Sequence, residues 1–221
     1  MIAIIDYGHG NFQSVYKALS LLNFESQITD SIEDIENARS LIFPGVGAFG
    51  DCMQNLDDKG LTEIIKKSIK SGKPFLGICL GLQILFESSE ESPGVQGLSI
   101  FKGSISKMNF IKNKLKVPHM GWNQIKMKRK SKLFESVKDE SWVYFVHSYK
   151  IDPDLDIVDT TSSYGDDFGS SVSFENIYAT QFHPEKSSDL GLNILGNLSL
   201  IHISAPTRRY AISYAVFCLK K

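Results

Sequence analysis

Cys79 sits between two glycines in Gly77-Ile-Cys-Leu-Gly81. An apolar run enters Gly77 and an amphipathic stretch leaves Gly81. A nucleophile at such a strand-to-helix elbow occupies a tight, strained turn. Side chains at the flanking positions would clash there, so glycine is needed. The sulfur then projects at a helix N-terminus, where the dipole and free N–H groups favour thiolate. The N–H of Leu80 is placed to donate to an oxyanion. Taken alone, the same five residues also fit a buried cysteine at a strand end. Cys52 lacks the second glycine and reads as core or helix-start packing.

A thiol nucleophile needs an imidazole within hydrogen-bond reach, and a carboxylate on the second ring nitrogen orients it. Thr180-Gln-Phe-His-Pro-Glu-Lys-Ser187 offers both. His183 follows a strand, Pro184 fixes the turn, and Glu185 can point the same way. Strand ends of an α/β sheet face the catalytic crevice. His9 in a glycine turn, His119 after a proline and His147 in mid-strand fit a base less well. A third segment, Leu41-Ile-Phe-Pro-Gly-Val-Gly-Ala-Phe-Gly50, lacks the Lys-Ser/Thr of a P-loop and the dinucleotide spacing. It reads as a flexible peptide beside the nucleophile. After a flip at Gly45-Val46-Gly47 it would supply a second oxyanion donor, Val46 or Gly47.

These pieces need a scaffold. Apolar runs at 2–5, 24–28, 41–43 and 74–78 read as strands. Helices are expected at 12–22, 31–38 (Ser31 as N-cap), 62–71 (closed by Gly72) and 80–86. Strands separated by helices of this length imply parallel pairing in a three-layer α/β core. From 100 to 182 the pattern changes to strand-like runs at 100–108, 115–125, 143–151, 157–163, 172–174 and 177–182. These read as an antiparallel extension of the same sheet, and a closing helix starts near Asp189.

Size and composition fit that scaffold. The 221 residues are 42% hydrophobic and 22% charged, with a net charge of -1, ordinary values for a globular chain. Three cysteines without CxxC spacing point to a reducing compartment, the cytoplasm, and away from disulfides or zinc. No apolar segment reaches the roughly 18 residues of a membrane span. Ten basic residues and no acid lie between Lys102 and Lys132. They form either a positive rim for a partner or a solvated hairpin face. They lack the stacking platform of a nucleic-acid site. The last stretch, 199–221, carries four basic residues and no acid and contains the helix breaker Pro206. It reads as a partner-binding tail or, preferably, as an extension outside the domain 1–198.

Six motifs in order carry a resemblance over residues 1 to about 198. They are Asp6-Tyr-Gly-His-Gly-Asn11, Pro44-Gly-Val-Gly-Ala-Phe-Gly50, Gly77-Ile-Cys-Leu-Gly-Leu-Gln83, Pro118-His-Met-Gly-Trp-Asn123, Tyr144-Phe-Val-His-Ser-Tyr149 and Gln181-Phe-His-Pro-Glu-Lys-Ser187. Together they resemble the triad-type (class I) glutamine amidotransferases. Within that family they are similar to the glutaminase subunits of imidazole glycerol phosphate synthases. Leu82, where methionine is more usual, is a small departure. The resemblance implies Cys79 as nucleophile, His183 as acid and base, and Glu185 as orienter. Gly45, Gln83, His147 and Ser148 would contact glutamine. It implies no cofactor or metal. The implied partner is a (β/α)8-barrel cyclase that consumes the released ammonia. Tyr7, Asn11, Pro118, Met120, Trp122 and Asn123 would face that barrel. Two alternatives stay open: a paralogous subunit serving another amidating synthase, and a redox-sensing module that keeps the cysteine elbow without the chemistry.

Overall fold

The computed structural model describes residues 1–108 and 115–203, with only the backbone described at 202 and 203. The first half runs β1 (Ile2–Ile5), α1 (Phe12–Leu21), β2 (Ser26–Thr29), α2 (Ile32–Asn37), β3 (Ser40–Gly45), α3 (Phe49–Asp58), α4 (Leu61–Lys70), β4 (Phe75–Cys79) and α5 (Leu80–Gln83). Then follow β5 (Ser88–Ser89), β6 (Ser104–Lys107), β7 (His119–Met127), β8 (Ser141–His147), β9 (Tyr149–Lys150), β10 (Val158–Tyr164), β11 (Asp166–Phe174), β12 (Ile177–Thr180), α6 (Ser188–Gly196) and α7 (Leu198–Ile203).

Side chains of the first strands alternate between two cores. Ala3, Ile5, Leu41, Phe43 and Phe75 pack on one side, with Ile35 of α2, Leu56 of α3 and Ile65 of α4. Ile2, Ile4, Ile42, Leu76 and Ile78 pack on the other, with Val15 and Leu19 of α1 and Ile194 and Leu195 of α6. A strand buried on both faces reads as an unbroken apolar run, as these do. The expected three layers follow. Nine strands form one sheet in the order β2-β1-β3-β4-β12-β11-β10-β7-β8. The β2-β1-β3-β4-β12 half is parallel. From β12 onward each pairing is antiparallel, as expected for β7, β8, β10 and β11. β12 itself, expected in that extension, lies parallel to β4. The 100–108 run and the end of the 143–151 run join a separate sheet. A small sheet, β5-β6-β9, stands apart.

Three further elements depart from expectation. Helix α3 was not foreseen, because its N-terminus has no local cap. Glu91 Oε2 accepts from Phe49 N at 2.8 Å and Ser92 Oγ from Gly50 N at 2.9 Å. Orphan helix donors can be satisfied from far along the chain, invisibly to local patterning. Helix α5 ends at Gln83 instead of 86, because the following carbonyls are taken by another segment. Leu98 N donates to Ile84 O, Ile100 N to Leu85 O and Ser99 N to Phe86 O. Third, the expected 172–174 strand is the end of the longer β11. A hairpin at Gly165 (φ +78°) pairs β11 with β10 from Tyr164↔Asp166 onward.

The expected boundary at residue 198 falls at the start of α7, whose Leu198 and Ile201 are buried in the second core. The rest of the tail from 204, with Cys218, lies outside the described residues, as do Lys112 and Lys114 of the basic stretch. Arg129 of that stretch is exposed, yet its Nε lies 2.6 Å from Oδ1 of the fully buried Asp159. Among the described residues no helix is long and apolar enough to cross a membrane.

Candidate active site

The catalytic candidates stand on three adjacent central strands. Gly45 ends β3 opposite Cys79 at the end of β4, and β12, on the other side of β4, leads into His183. Cys79 has φ 55° and ψ -106°, a strained conformation for a non-glycine residue. The flanking glycines permit it. A Cβ on Gly77 would collide with the Gly81 carbonyl, and one on Gly81 with the Phe43 carbonyl. The thiol is 8% exposed. Its Sγ lies 3.7 Å from Val146 O and accepts from Gln181 Nε2 at 3.6 Å.

His183 is fixed from both sides. Its N–H donates to Tyr144 O of β8 at 2.9 Å, and Ser187 Oγ donates to its carbonyl at 2.7 Å. Its Nδ1 meets Glu185 Oε1 at 2.8 Å, with both side chains almost fully buried. Pro184 starts the single 3-10 turn that brings Glu185 back under the ring. His183 Nε2 is buried without a hydrogen-bond partner and shares a cavity with Cys79. Burial alone would lower the imidazole pKa. The neighbouring sulfur, then the Glu185 carboxylate, outweigh it and push the ring up to about 10. At neutral pH His183 therefore holds a proton facing the sulfur.

The cavity, about 340 Å³, is lined by Val46, Gly47, Cys79, Leu80, Gln83, Glu91, Pro118, Val146, His147, Ser148, Tyr149 and His183. That volume suits a small molecule. Most residues singled out in the sequence thus converge here, and the first N–H of α5 belongs to Leu80, where helix donors lack intrahelical acceptors. Several details differ. Gln83 spends its amide on Gln181 Oε1 at 3.1 Å, so it reaches the sulfur through Gln181. Gln181 is fully buried. It sits in a quoted motif, but only the fold shows that it faces Cys79.

His147 lines the cavity, but both of its ring nitrogens are already used within the protein, so the ring does not hydrogen-bond a ligand. Tyr149 O can only accept, at 2.7 Å, so His147 Nδ1 carries the proton. Its Nε2 then accepts from His119 Nδ1 at 3.0 Å, and Asn123 Nδ2 lies 3.4 Å from His119 Nε2. Burial pushes these rings down to about 3 and about 4, so both stay neutral. Glu91 was missed by sequence reading. It is half-buried at the cavity wall, and one oxygen already anchors α3.

Of the expected partner-facing residues, Pro118 is exposed, Met120 is 63% and Trp122 49% exposed. Asn11 is half-buried and accepts from Ser14 Oγ. Asn123 is half-buried and donates to Ser163 O. Tyr7 requires correction. It is 1% exposed, stacks on Phe43 at 5.0 Å and faces inward, so it presents no surface to a partner. Its hydroxyl donates to Val46 O at 2.8 Å and accepts from Val46 N at 2.9 Å. The Val46 N–H, expected as an oxyanion donor, is therefore engaged elsewhere. Among the described residues no cluster suits a metal ion.

Residues 3–199 match the family model "Glutamine amidotransferase class-I". The chain is 48% identical over 204 residues to imidazole glycerol phosphate synthase subunit HisH of Geobacter metallireducens, covering 90% of this chain and 97% of the relative. It is 51% identical over 198 residues to the HisH subunit of Pyrococcus furiosus, covering 89% and 96%. A crystal structure of a glutamine amidotransferase superimposes with a TM-score of 0.70 at 18% identity, over 90% of this chain and 98% of that one. The glutaminase domain of Trypanosoma brucei CTPS with bound acivicin gives 0.64 at 14%, over 90% and 93%. The chain belongs to the class I glutamine amidotransferases.

Proposed function

We propose that the chain is the glutaminase subunit of an imidazole glycerol phosphate synthase. Its Cys79–His183–Glu185 triad hydrolyses glutamine, and a (β/α)8-barrel cyclase subunit takes up the ammonia. The observation that carries the chemistry is the closed His183–Glu185 pair at 2.8 Å, whose free Nε2 opens into the cavity of Cys79. The likeness to HisH subunits over nine-tenths of the chain supports the choice of synthase.

The Cys79 thiolate adds to the side-chain carbonyl of glutamine, and the carbonyl electron pair moves onto oxygen. The Leu80 N–H and the Val46–Gly47 segment flank that oxygen. His183 Nε2–H gives its proton to the departing nitrogen, and ammonia leaves. The now neutral Nε2 takes a proton from water, which attacks the thioester. The tetrahedral carbon expels the sulfur, giving glutamate. Glu185 holds Nδ1–H throughout, so the ring keeps one tautomer. Glu91, the carboxylate on the cavity wall, is suited to the α-ammonium of glutamine. The outward face of β7 and β8 offers the dock. Met120, Trp122 and Trp142 are exposed there, and Trp122 packs edge-on against Tyr144. Large aromatics on an exposed face suit a protein interface.

The test is glutamate release from glutamine, with and without the cyclase barrel and its bound ligand. Activity is expected to be low alone and strongly raised in the complex. Full activity in Cys79→Ala would overturn the assignment. Glu91→Gln is expected to raise KM with little change in kcat, as a purely binding contact does.

A further inference from the structure

Two polar groups besides His183 face the sulfur of Cys79, and they differ in kind. Val146 O, 3.7 Å away, can only accept, so it takes the thiol proton while the sulfur holds one. Gln181 Nε2, 3.6 Å away, can only donate, so it meets the lone pairs of thiol and thiolate alike. The direction of that amide is set from its other end. Gln83 Nε2 donates to Gln181 Oε1 at 3.1 Å. With the oxygen engaged there, the N–H end is left for the sulfur. Both glutamines are buried, Gln181 completely.

The fold holds this chain of amides at each link. Gln83 is the last residue of α5, the helix that starts immediately after Cys79. Gln181 leaves β12, and its backbone N–H donates to Ser170 O of β11 at 2.9 Å. Gln181 stands two residues before His183. One strand exit therefore brings an amide and an imidazole to the same nucleophile.

We infer that Gln181 is a further catalytic residue: its side-chain amide donates to Cys79 Sγ and stabilises the negative sulfur as the thioester releases it. This rests on the glutaminase reading of the site. Once water has added to the thioester, the carbon–sulfur bond breaks and its electron pair stays on sulfur. The oxyanion re-forms the carbonyl of glutamate. Charge thus returns to a sulfur shielded from water, where a donor already in place needs no reorganisation. In the thioester itself the sulfur is uncharged, and the N–H has little to hold. The bond therefore favours the free thiolate over the intermediate. His183 and Gln181 divide the work: the imidazole moves protons, and the amide, which does not titrate, holds the charge on sulfur. Gln83 is a positioning residue, keeping the amide oxygen turned away from that charge.

The experiment compares Gln181→Met with wild type in glutamate release, in the complex with the cyclase barrel and its ligand. Methionine keeps the length of the side chain and removes the donor. Release of the sulfur is expected to slow, so kcat falls about tenfold, the effect of roughly one hydrogen bond to a charged group. The intermediate then accumulates, and KM falls with kcat while kcat/KM stays near wild type. Rapid quenching and mass spectrometry are expected to find the glutamyl adduct on Cys79 in the variant. An unchanged kcat would overturn the proposal. So would a fall in kcat/KM without the adduct, which is what a merely structural role produces. A joint X-ray and neutron structure of the wild-type protein is a second measurement that needs no variant. Deuterons are expected on the Gln181 side-chain atom facing Sγ; an oxygen there would overturn the proposal. If wild type released no glutamate even in the complex, the glutaminase reading itself would fail, an outcome separate from the direction of the amide.

Discussion

Gly45→Ala isolates the fit between the oxyanion loop and the nucleophile elbow. An ideal Cβ at residue 45 would lie 2.6 Å from Leu80 Cβ and 2.9 Å from Gly81 N. Ordinary contact begins at 3.4 Å, so the new methyl is about 0.8 Å too close to its nearest neighbour. Neither neighbour is the far end of a flexible chain. Leu80 Cβ is one bond from the backbone, and Gly81 N is backbone. The strain must therefore separate β3 from α5, moving the Val46–Gly47 segment away from Leu80 N–H. A misplacement of about 1 Å in a catalytic group costs about 10²-fold, and overpacking costs about 1–3 kcal/mol of stability. For a chain of this size that lowers the melting temperature by about 2–4 °C for each kcal/mol. Gly196→Ala is the matched control. It ends α6, and its Cβ would find nothing nearer than Leu22 Cδ2 at 3.9 Å. It is expected to keep full activity and to gain up to about 1 kcal/mol. Both variants are read by glutamate release in the complex and by thermal melting. If Gly45→Ala keeps kcat/KM within about twofold of wild type, the reasoning from close approach is refuted.

Other predictions concern charge, pH and the chain end. Glu185→Gln is expected to lower kcat by about 10²–10⁴-fold, the range of a general acid–base contribution, and to bring His183 down from about 10 in an NMR titration. A His183 resonance that still titrates near 10 would show that Glu185 does not hold its proton. His119 is held neutral when folded, titrating near 4 against 6.5 when free. The unfolded chain binds this proton first, so stability is full above about pH 6.5 and falls as pH drops towards 4. The span corresponds to about 3 kcal/mol. His119→Gln is expected to flatten the fall in denaturant midpoint over that range, and an unchanged slope would refute this account. Truncation after Ile203 is expected to leave glutamate release unchanged. Truncation after Leu198 removes the buried Ile201 and lowers the melting temperature by several degrees.

The candidate triad was legible in the sequence because each member announces itself locally. Glycines must flank a nucleophile at φ 55°, and a proline between histidine and carboxylate makes the turn that returns one to the other. The parallel half of the sheet was legible for a similar reason, since strands buried on both faces leave unbroken apolar runs. Whatever depends on distant partners was hidden. Helix α3 is capped from 42 residues away, so no local cap betrays it. His147 lines the cavity, but its motif says nothing of the second histidine that occupies its ring. Tyr7 looked like a surface residue because it sits in a glycine-rich turn, and only the packing of β1 beside β3 shows the phenol pointing at Val46.

The position of β12 has a consequence for how the chain is made. It lies in mid-sheet between β4 and β11, yet among the described residues it is the last strand in sequence. During synthesis the edge of β4 stays open until residues 177–180 emerge. An unpaired apolar edge invites association with other chains. The nascent protein therefore carries an adhesive flank while the 97 residues between β4 and β12 are made, and a chaperone that shields strand edges would act on that interval. The same delay keeps His183 away from Cys79 until β12 joins the sheet.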